Sequence, residues 1–366
     1  MAKLGLVLSG GGAKGAYHVG VIKALQELNI RIDMLSGASI GALNGAVLLS
    51  AKDQRLGLVH LEQLWDKLPE VQPIQFKGKE SVSDFFGLKK NINISTYISL
   101  LLASGLRLAT PVGIPATLLA LAFERLDIKD LEGICKQEPL FEMMEEFLNL
   151  ENLNLSIPFY ISTYKIKDYE KAINRLKETL AATVSFLKAE FLGVDNQFSE
   201  FYKIQDLTQD KQKSYILASA ALPLIFLPQK DGQGNRFVDG GLGGALKSQG
   251  NTPITPLIEA GCTHIIVSHL DHGSLWHRYD YPQVNIIEIR PNEKLDLSAA
   301  KLLDFSRANI ERLRLQGYLD TKSEMGRILS TFSNIKNIDS NNSTLKASIK
   351  MLKDTENSLD EIMKHL

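Results

Sequence analysis

Two glycine clusters within residues 10–41 constrain this chain more than any other feature. Gly10-Gly11-Gly12-Ala13-Lys14-Gly15 follows the short apolar run Leu4-Gly5-Leu6-Val7-Leu8 and precedes Tyr17 to Leu25, whose apolar residues recur at helical spacing. Gly37-Ala38-Ser39-Ile40-Gly41 stands between the strand-like run Ile32-Asp33-Met34-Leu35-Ser36 and the small-residue helical pattern Ala42 to Leu49. A strand that turns sharply into a helix needs residues without bulk at the corner. The pattern therefore predicts two consecutive strand–turn–helix units. These are the repeating element of an α/β sandwich around a mostly parallel sheet, with its site at the carboxyl ends of the strands.

The residues at the two corners point to one kind of chemistry. Ser39 occupies the centre of a Gly-X-Ser-X-Gly elbow, where a strained turn exposes a hydroxyl and Gly37 and Gly41 leave room for it. The other cluster opens a helix, and the N–H groups at a helix start are unpaired and carry positive partial charge. Gly10, Gly11, Gly12, Ala13, Lys14 and Gly15 thus form a candidate cradle for an oxyanion. A serine alcohol is a poor nucleophile at neutral pH and requires a base. Asn235-Arg236-Phe237-Val238-Asp239-Gly240-Gly241, an apolar strand ending in an acid and two glycines, offers Asp239 for that role. Acyl transfer is the reaction class these three segments share. Lys14 is open to three readings: orienting the glycine loop, contacting a phosphate, or facing solvent.

In this order the segments resemble the patatin-like phospholipase family, whose signatures are a glycine-rich oxyanion loop, Gly-X-Ser-X-Gly, and Asp-Gly-Gly or Asp-Gly-Ala. Two weaker segments agree with it, Ala218-Ser219-Ala220-Ala221-Leu222-Pro223 before the aspartate and Asn251-Thr252-Pro253 after it. The resemblance runs from about Lys3 to about Asp320. It implies a patatin-like three-layer sandwich and a lipid acyl hydrolase of phospholipase A or lysophospholipase type. The reaction would use a Ser39–Asp239 dyad and an acyl-serine intermediate, on a phospholipid or lysophospholipid substrate, with no cofactor and no metal. Some bacterial members are effectors switched on by a signalling nucleotide, so a cyclic-nucleotide activator stays open, although no segment here reads as a nucleotide site.

Other readings of the same residues are weaker. Gly10, Gly12 and Gly15 also satisfy Gly-X-Gly-X-X-Gly, the dinucleotide fingerprint, which would make the chain an oxidoreductase. Asp33, about twenty positions on, stands at the start of its strand rather than at the carboxyl end where that fingerprint requires its acid. His264, His269, His272 and His277 follow Asp239, so a Ser–Asp–His order is possible on paper, but the serine comes only two strands into the chain. His18 and His60 read as helix-face residues. The formal net charge of −1 gives no electrostatic footprint for nucleic acid. Cys135 and Cys262 are too few for a disulfide framework. Met1-Ala2-Lys3 leaves no room for a signal peptide before the first strand, and the chain reads as cytoplasmic, with peripheral contact at the inner face of the membrane.

The reading divides the chain into a hydrolase domain over 1–325, with a variable lid or cap region over 68–201, and a polar linker with a C-terminal helix over 326–366. Within the cap, Ile94 to Phe123 carries Arg107 as its only charge but is broken by Pro111, Gly113 and Pro115. A core or lid role, an apolar lid docked on a membrane surface and a true span are the readings open to it, and an apolar helical lid that meets lipid is the one expected. Helical spacing is also read at Leu56–Leu68, Phe141–Leu150, Lys165–Glu190 and Leu297–Leu319, and strands at Pro158–Tyr164, Cys262–Ser268 and Val284–Arg290. From Thr331 to Ser343 the chain turns polar and asparagine-rich. It then resumes an apolar pattern at Leu345, Ile349, Leu352, Leu359, Ile362 and Leu366, a helix for packing or for a homo-oligomer.

Overall fold

The computed structural model describes residues 2–71, 75–76, 135–136, 138–166, 198–219, 229–230, 236–242, 249–272, 274, 276–292 and 304–364. The lid expected at Ile94–Phe123 lies outside them, as does the helix expected at Lys165–Glu190 except for Lys165 and Ile166, which are strand residues. Two units are distinguished, Met1–Asp320 and Thr321–Leu366.

The strands of the first unit are β1 (Leu4–Leu8), β2 (Met34–Gly37), β3 (Gln75–Phe76), β4 (Cys135–Lys136), β5 (Phe159–Ile166), β6 (Glu200–Lys203), β7 (Gln229–Lys230), β8 (Arg236–Asp239), β9 (His264–Ser268) and β10 (Asn285–Ile289). Eight of them form one mixed sheet in the order β10-β9-β1-β2-β5-β8-β7, with β6 also pairing with β5. The pairs β10–β9, β9–β1, β1–β2 and β2–β5 are parallel, and those involving β6, β7 and β8 are antiparallel. β3 and β4 pair antiparallel with each other in a separate two-stranded sheet.

Helices cover both faces because the central strands are apolar on both. The helices are α1 (Ala16–Glu27), α2 (Ile40–Leu49), α3 (Gln54–Val71), α4 (Glu138–Phe147), α5 (Leu150–Leu155), α6 (Gln209–Ser219), α7 (Thr255–Glu259) and α8 (Arg307–Lys364). On one face Val7, Met34, Ile265 and Val267 pack with Ile254, Leu257, Cys262 and Trp276 around α7. On the other, the alternate strand residues Leu6, Leu8 and Leu35 are buried together with Val21, Ile22 and Leu25 of α1. Glycines let two backbones approach where α8 begins: a β-carbon on Gly20 would stand 1.9 Å from the Arg314 carbonyl oxygen, and one on Gly317 2.1 Å from that of Tyr17.

The observed elements differ from the sequence reading in several places, and the helix expected at Leu297–Leu319 begins only at Arg307, residues 304–306 being non-helical. The single helix expected at Phe141–Leu150 is split into α4 and α5, because the Asn149 side chain accepts from the Asn152 N–H at 2.9 Å and starts a new helix. The polar run Thr331–Ser343, expected as a linker, is helical throughout and lies inside α8.

Candidate active site

Strand register brings the three segments to one level of the sheet. Leu8 of β1 pairs with Gly37 of β2, and Gly37 pairs with Ile161 of β5. Two residues further along β5, Thr163 pairs with Asp239 at the end of β8. The glycine loop after β1, the elbow after β2 and the acid of β8 therefore converge around β5.

The elbow is strained as a sharp strand-to-helix turn demands. Ser39 has φ 52° and ψ −125°, a left-handed backbone that a residue with a β-carbon rarely adopts. Close approach explains its neighbours: a β-carbon on Gly41 would lie 2.1 Å from the Leu8 carbonyl oxygen, and one on Gly37 2.5 Å from that of Gly41. Ser219, at the end of α6, holds the turn. Its hydroxyl accepts from the Ser39 N–H at 3.0 Å and donates to the Ser162 carbonyl at 2.6 Å, tying the elbow to β5.

Asp239 is 3% exposed, and its surroundings favour the protonated form. Burial pushes its carboxyl up to about 6, which the neighbouring Ser39 hydroxyl and the Gly241 N–H only partly offset. Oδ1 accepts from the Gly241 N–H at 2.7 Å, while Oδ2 has no hydrogen-bond partner among the described residues. A buried carboxylate oxygen left unpaired beside a strained serine is a costly arrangement for stability alone.

The glycine loop stands against the same point. A β-carbon on Gly10 would lie 2.9 Å from Ser39 Cβ and 2.4 Å from Asn251 Oδ1. The Gly10 N–H donates to the Asn251 carbonyl at 3.2 Å, and the Lys14 N–H donates to the Gly11 carbonyl at 3.2 Å. Gly11 precedes a short 3₁₀ turn, Gly12–Gly15, that leads into α1, and Gly12, its first residue, has φ 56°. Ala13 and Gly15 are buried in that turn, a β-carbon on Gly15 meeting Ile40 at 2.4 Å. Lys14 is buried as well, which overturns its solvent-facing reading.

The sequence marked Ser219 and Asn251 only as parts of weaker segments. The structure makes them neighbours of the site, with Asn251 Oδ1 lying 3.0 Å from where a β-carbon on Gly241 would be. The repeated placing of a polar residue beside glycine or alanine was the available signal.

The histidines are occupied elsewhere. His264 is exposed at the amino end of β9 and bonds Thr263 Oγ1 at 3.0 Å. His269 is buried and pairs with Glu288 at 3.1 Å, desolvation holding its pKa below the ordinary value. His272 Nδ1 bonds the Pro291 carbonyl at 2.8 Å, and His277 is exposed. None hydrogen-bonds Ser39 or Asp239 among the described residues. His18 is fully buried, with Nδ1 at 3.3 Å from Asn44 Nδ2, and desolvation drives its pKa down to about 3. His60 is half-exposed on α3. Asp33 Oδ2 accepts from the Leu4 N–H at 2.9 Å, at the end of the sheet away from the glycine loop. No group of three or more His, Cys, Asp or Glu side chains suited to a metal occurs among the described residues.

Fold and site together define an α/β protein with a strained serine elbow beside a buried aspartate. The family model for patatin-like phospholipases matches residues 6–258, and the chain belongs to that family. Among curated relatives, neuropathy target esterase of Drosophila persimilis is 58% identical over 50 residues, 14% of this chain and 4% of that protein. The Drosophila melanogaster protein of that name is 56% identical over 50 residues, with the same coverage. The chain thus spans a small fraction of these relatives' length. Of solved structures, VipD from Legionella pneumophila aligns with 89% of this chain and 67% of its own, at TM-score 0.40 and 15% identity. Human GIVD cytosolic phospholipase A2 aligns with 90% and 59%, at TM-score 0.36 and 12% identity.

Proposed function

We propose that this chain is a lipid acyl hydrolase in which Ser39 attacks an ester carbonyl and Asp239 is its base. Family membership supports lipid hydrolysis in general. The observation that carries the finer reading is the buried Asp239 carboxyl, raised to about 6 and set beside a serine held at φ 52°. A general base works best with a pKa near the working pH, and burial moves this aspartate toward that range.

Asp239 Oδ2, the oxygen without a partner, takes the Ser39 proton as Oγ bonds to the carbonyl carbon. The carbonyl π electrons move to oxygen, and the N–H groups at Gly11 and Gly12 donate to the oxyanion, each good donor contributing ~3 kcal/mol. Collapse breaks the ester C–O bond, and Asp239 returns the proton to the leaving alcohol. Water then adds to the acyl-serine with Asp239 again as base, which releases the fatty acid and restores Ser39. Gly10 and Asn251 keep the loop seated against the serine.

A glycerophospholipid or lysophospholipid at a membrane surface is the substrate class that this reading takes. No helix among the described residues is long and apolar enough to cross a membrane. The test is fatty-acid release from phosphatidylcholine and lysophosphatidylcholine vesicles by purified protein, with and without cyclic nucleotides. Release by the wild type and none by well-folded Ser39→Ala supports the proposal. Equal release by both sinks it, and release only with a nucleotide adds regulation to the same chemistry.

A further inference from the structure

Within the second unit, α8 continues as uninterrupted helix from Thr321 to Lys364. Over 36 residues, from Ile328 to Met363, eight of the eleven positions that alternate three and four apart are apolar, Thr331, Asn342 and Glu356 being the exceptions. Leu345, Leu352 and Leu359 recur every seven at one position, with Ile338 seven before them. Ile328, Ile335 and Ile349 mark a second position, three residues ahead of the first. Apolar residues alternating at spacings of three and four give a 3.5-residue period, which keeps one narrow seam facing a partner helix along the whole length. Ile335, Ile338 and Leu345 carry the seam across the asparagine-rich run.

Between Asn342 and Leu352 that seam is exposed. Leu345 is 59% exposed, Ile349 45% and Leu352 69%.

From these observations we propose that the α8 segment 328–363 pairs with the same segment of a second copy of this chain, as a parallel two-stranded coiled coil. In a parallel assembly, β-branched Ile at the first heptad position with Leu at the fourth favours two strands over more. Asn342 falls at the isoleucine position, where in a parallel pair it meets its own copy and can hydrogen-bond across the seam, fixing register at some loss of stability. Glu356 occupies the same position two heptads on and makes that layer the weakest. A lipid surface fits less well, since it takes a broader apolar stripe and leaves Asn342 without a partner. The size is sufficient: 36 helical residues span ~54 Å, and a strip ~10 Å wide on each of two helices buries ~1,000 Å².

The test is sedimentation of the full chain at ~20 µM, beside the double variant Leu345→Lys/Leu352→Lys, with helicity followed by circular dichroism. Direction is read from disulfide cross-linking of Leu352→Cys against Lys350→Cys, on the outer face, with the unsubstituted chain as background. The expected result is a dimeric wild type and a monomeric, otherwise folded double variant. Cross-linking should be at least tenfold faster at position 352 than at 350. A monomeric wild type overturns the proposal, whether or not this face then binds phospholipid vesicles. So do a dimer that survives the double lysine change, an assembly larger than two, and equal cross-linking at both positions.

Discussion

The two ends of the parallel strands solve the same backbone problem in opposite ways. At the amino ends, the backbone N–H groups that flank the strands among the described residues find acceptors. The Leu4 N–H reaches Asp33 at 2.9 Å, the Thr263 and His264 N–H groups share the Lys3 carbonyl at 3.1 and 3.2 Å, and the Asn285 N–H reaches the Thr263 carbonyl at 3.0 Å. At the other end, Ser39 is held in a left-handed backbone, and Asp239 Oδ2, Ser162 Oγ and Thr163 Oγ1 are buried without partners among the described residues. A fold selected for stability alone would remove these features. Their grouping around Ser39 and Asp239 marks where stability has been exchanged for reactivity, whereas the other non-glycine residue at positive φ, Asn29 ahead of β2, is of a type that tolerates that backbone.

That contrast is broken or sharpened by substitution at each end. The largest effect is expected from Ser39→Ala and from Asp239→Ala, each lowering ester turnover by at least ~10³-fold with the fold retained. Because nucleophile and base act as one unit, the double variant should be no slower than either single one. Additive losses measured in the same ester assay would mean that the two residues work independently.

Next in size is the stability change from Asp239→Asn. The folded carboxyl is raised to about 6 from an ordinary value of 3.8, so above pH 6 the folded chain holds a buried charge that the unfolded chain solvates freely. The penalty is fully present above pH 6, shrinks as pH falls through 6, and vanishes below about 3.8. Asp239→Asn should therefore be more stable than wild type at pH 8, by on the order of 3 kcal/mol, and equal to it near pH 4. Urea melts at both pH values check the sign, and the opposite ordering at pH 8 would show that the aspartate is held as a stabilised anion.

Ser219→Ala comes third. It strips the partner from the Ser39 N–H and from the Ser162 carbonyl, a loss of ~1–3 kcal/mol in stability. Turnover should fall through kcat with KM little changed, because Ser219 touches the elbow and not the substrate. The smallest effect is expected at the other end of the sheet. Asp33→Ala removes the acceptor for the Leu4 N–H, which costs ~1 kcal/mol in a denaturant melt and leaves turnover unchanged. A turnover loss there as large as that of Ser219→Ala would erase the distinction between the two ends.

Much of this contrast was legible from residue order. β1, α1 and the elbow fall where glycines and apolar periodicity put them, since local sequence decides a strand, a turn and the helix after it. Asp239 could be paired with Ser39 on paper because an acid closing an apolar strand before two glycines has few uses. What local sequence does not encode is register: that Thr163 is the residue opposite Asp239, and that Ser219 reaches the Ser39 N–H from 180 positions away. The burial of Lys14 and of His18 was equally hidden, because small and apolar neighbours flank both in sequence and only the packed helices show what encloses them. In α8 the asparagine-rich run was read by composition, whereas its backbone is helical throughout and apolar residues seven apart recur across it.

Covalent trapping at pH 8 and pH 5 tests the Ser39–Asp239 pair most directly. A fluorophosphonate probe should form a single adduct, mapped by peptide mass spectrometry to Ser39. Its rate should fall about tenfold per pH unit below about 6 as Asp239 takes up its proton, and it should be lost in well-folded Asp239→Asn. An adduct on another serine, or labelling of Ser39 at undiminished rate in Asp239→Asn, would contradict the pairing of this serine with this base.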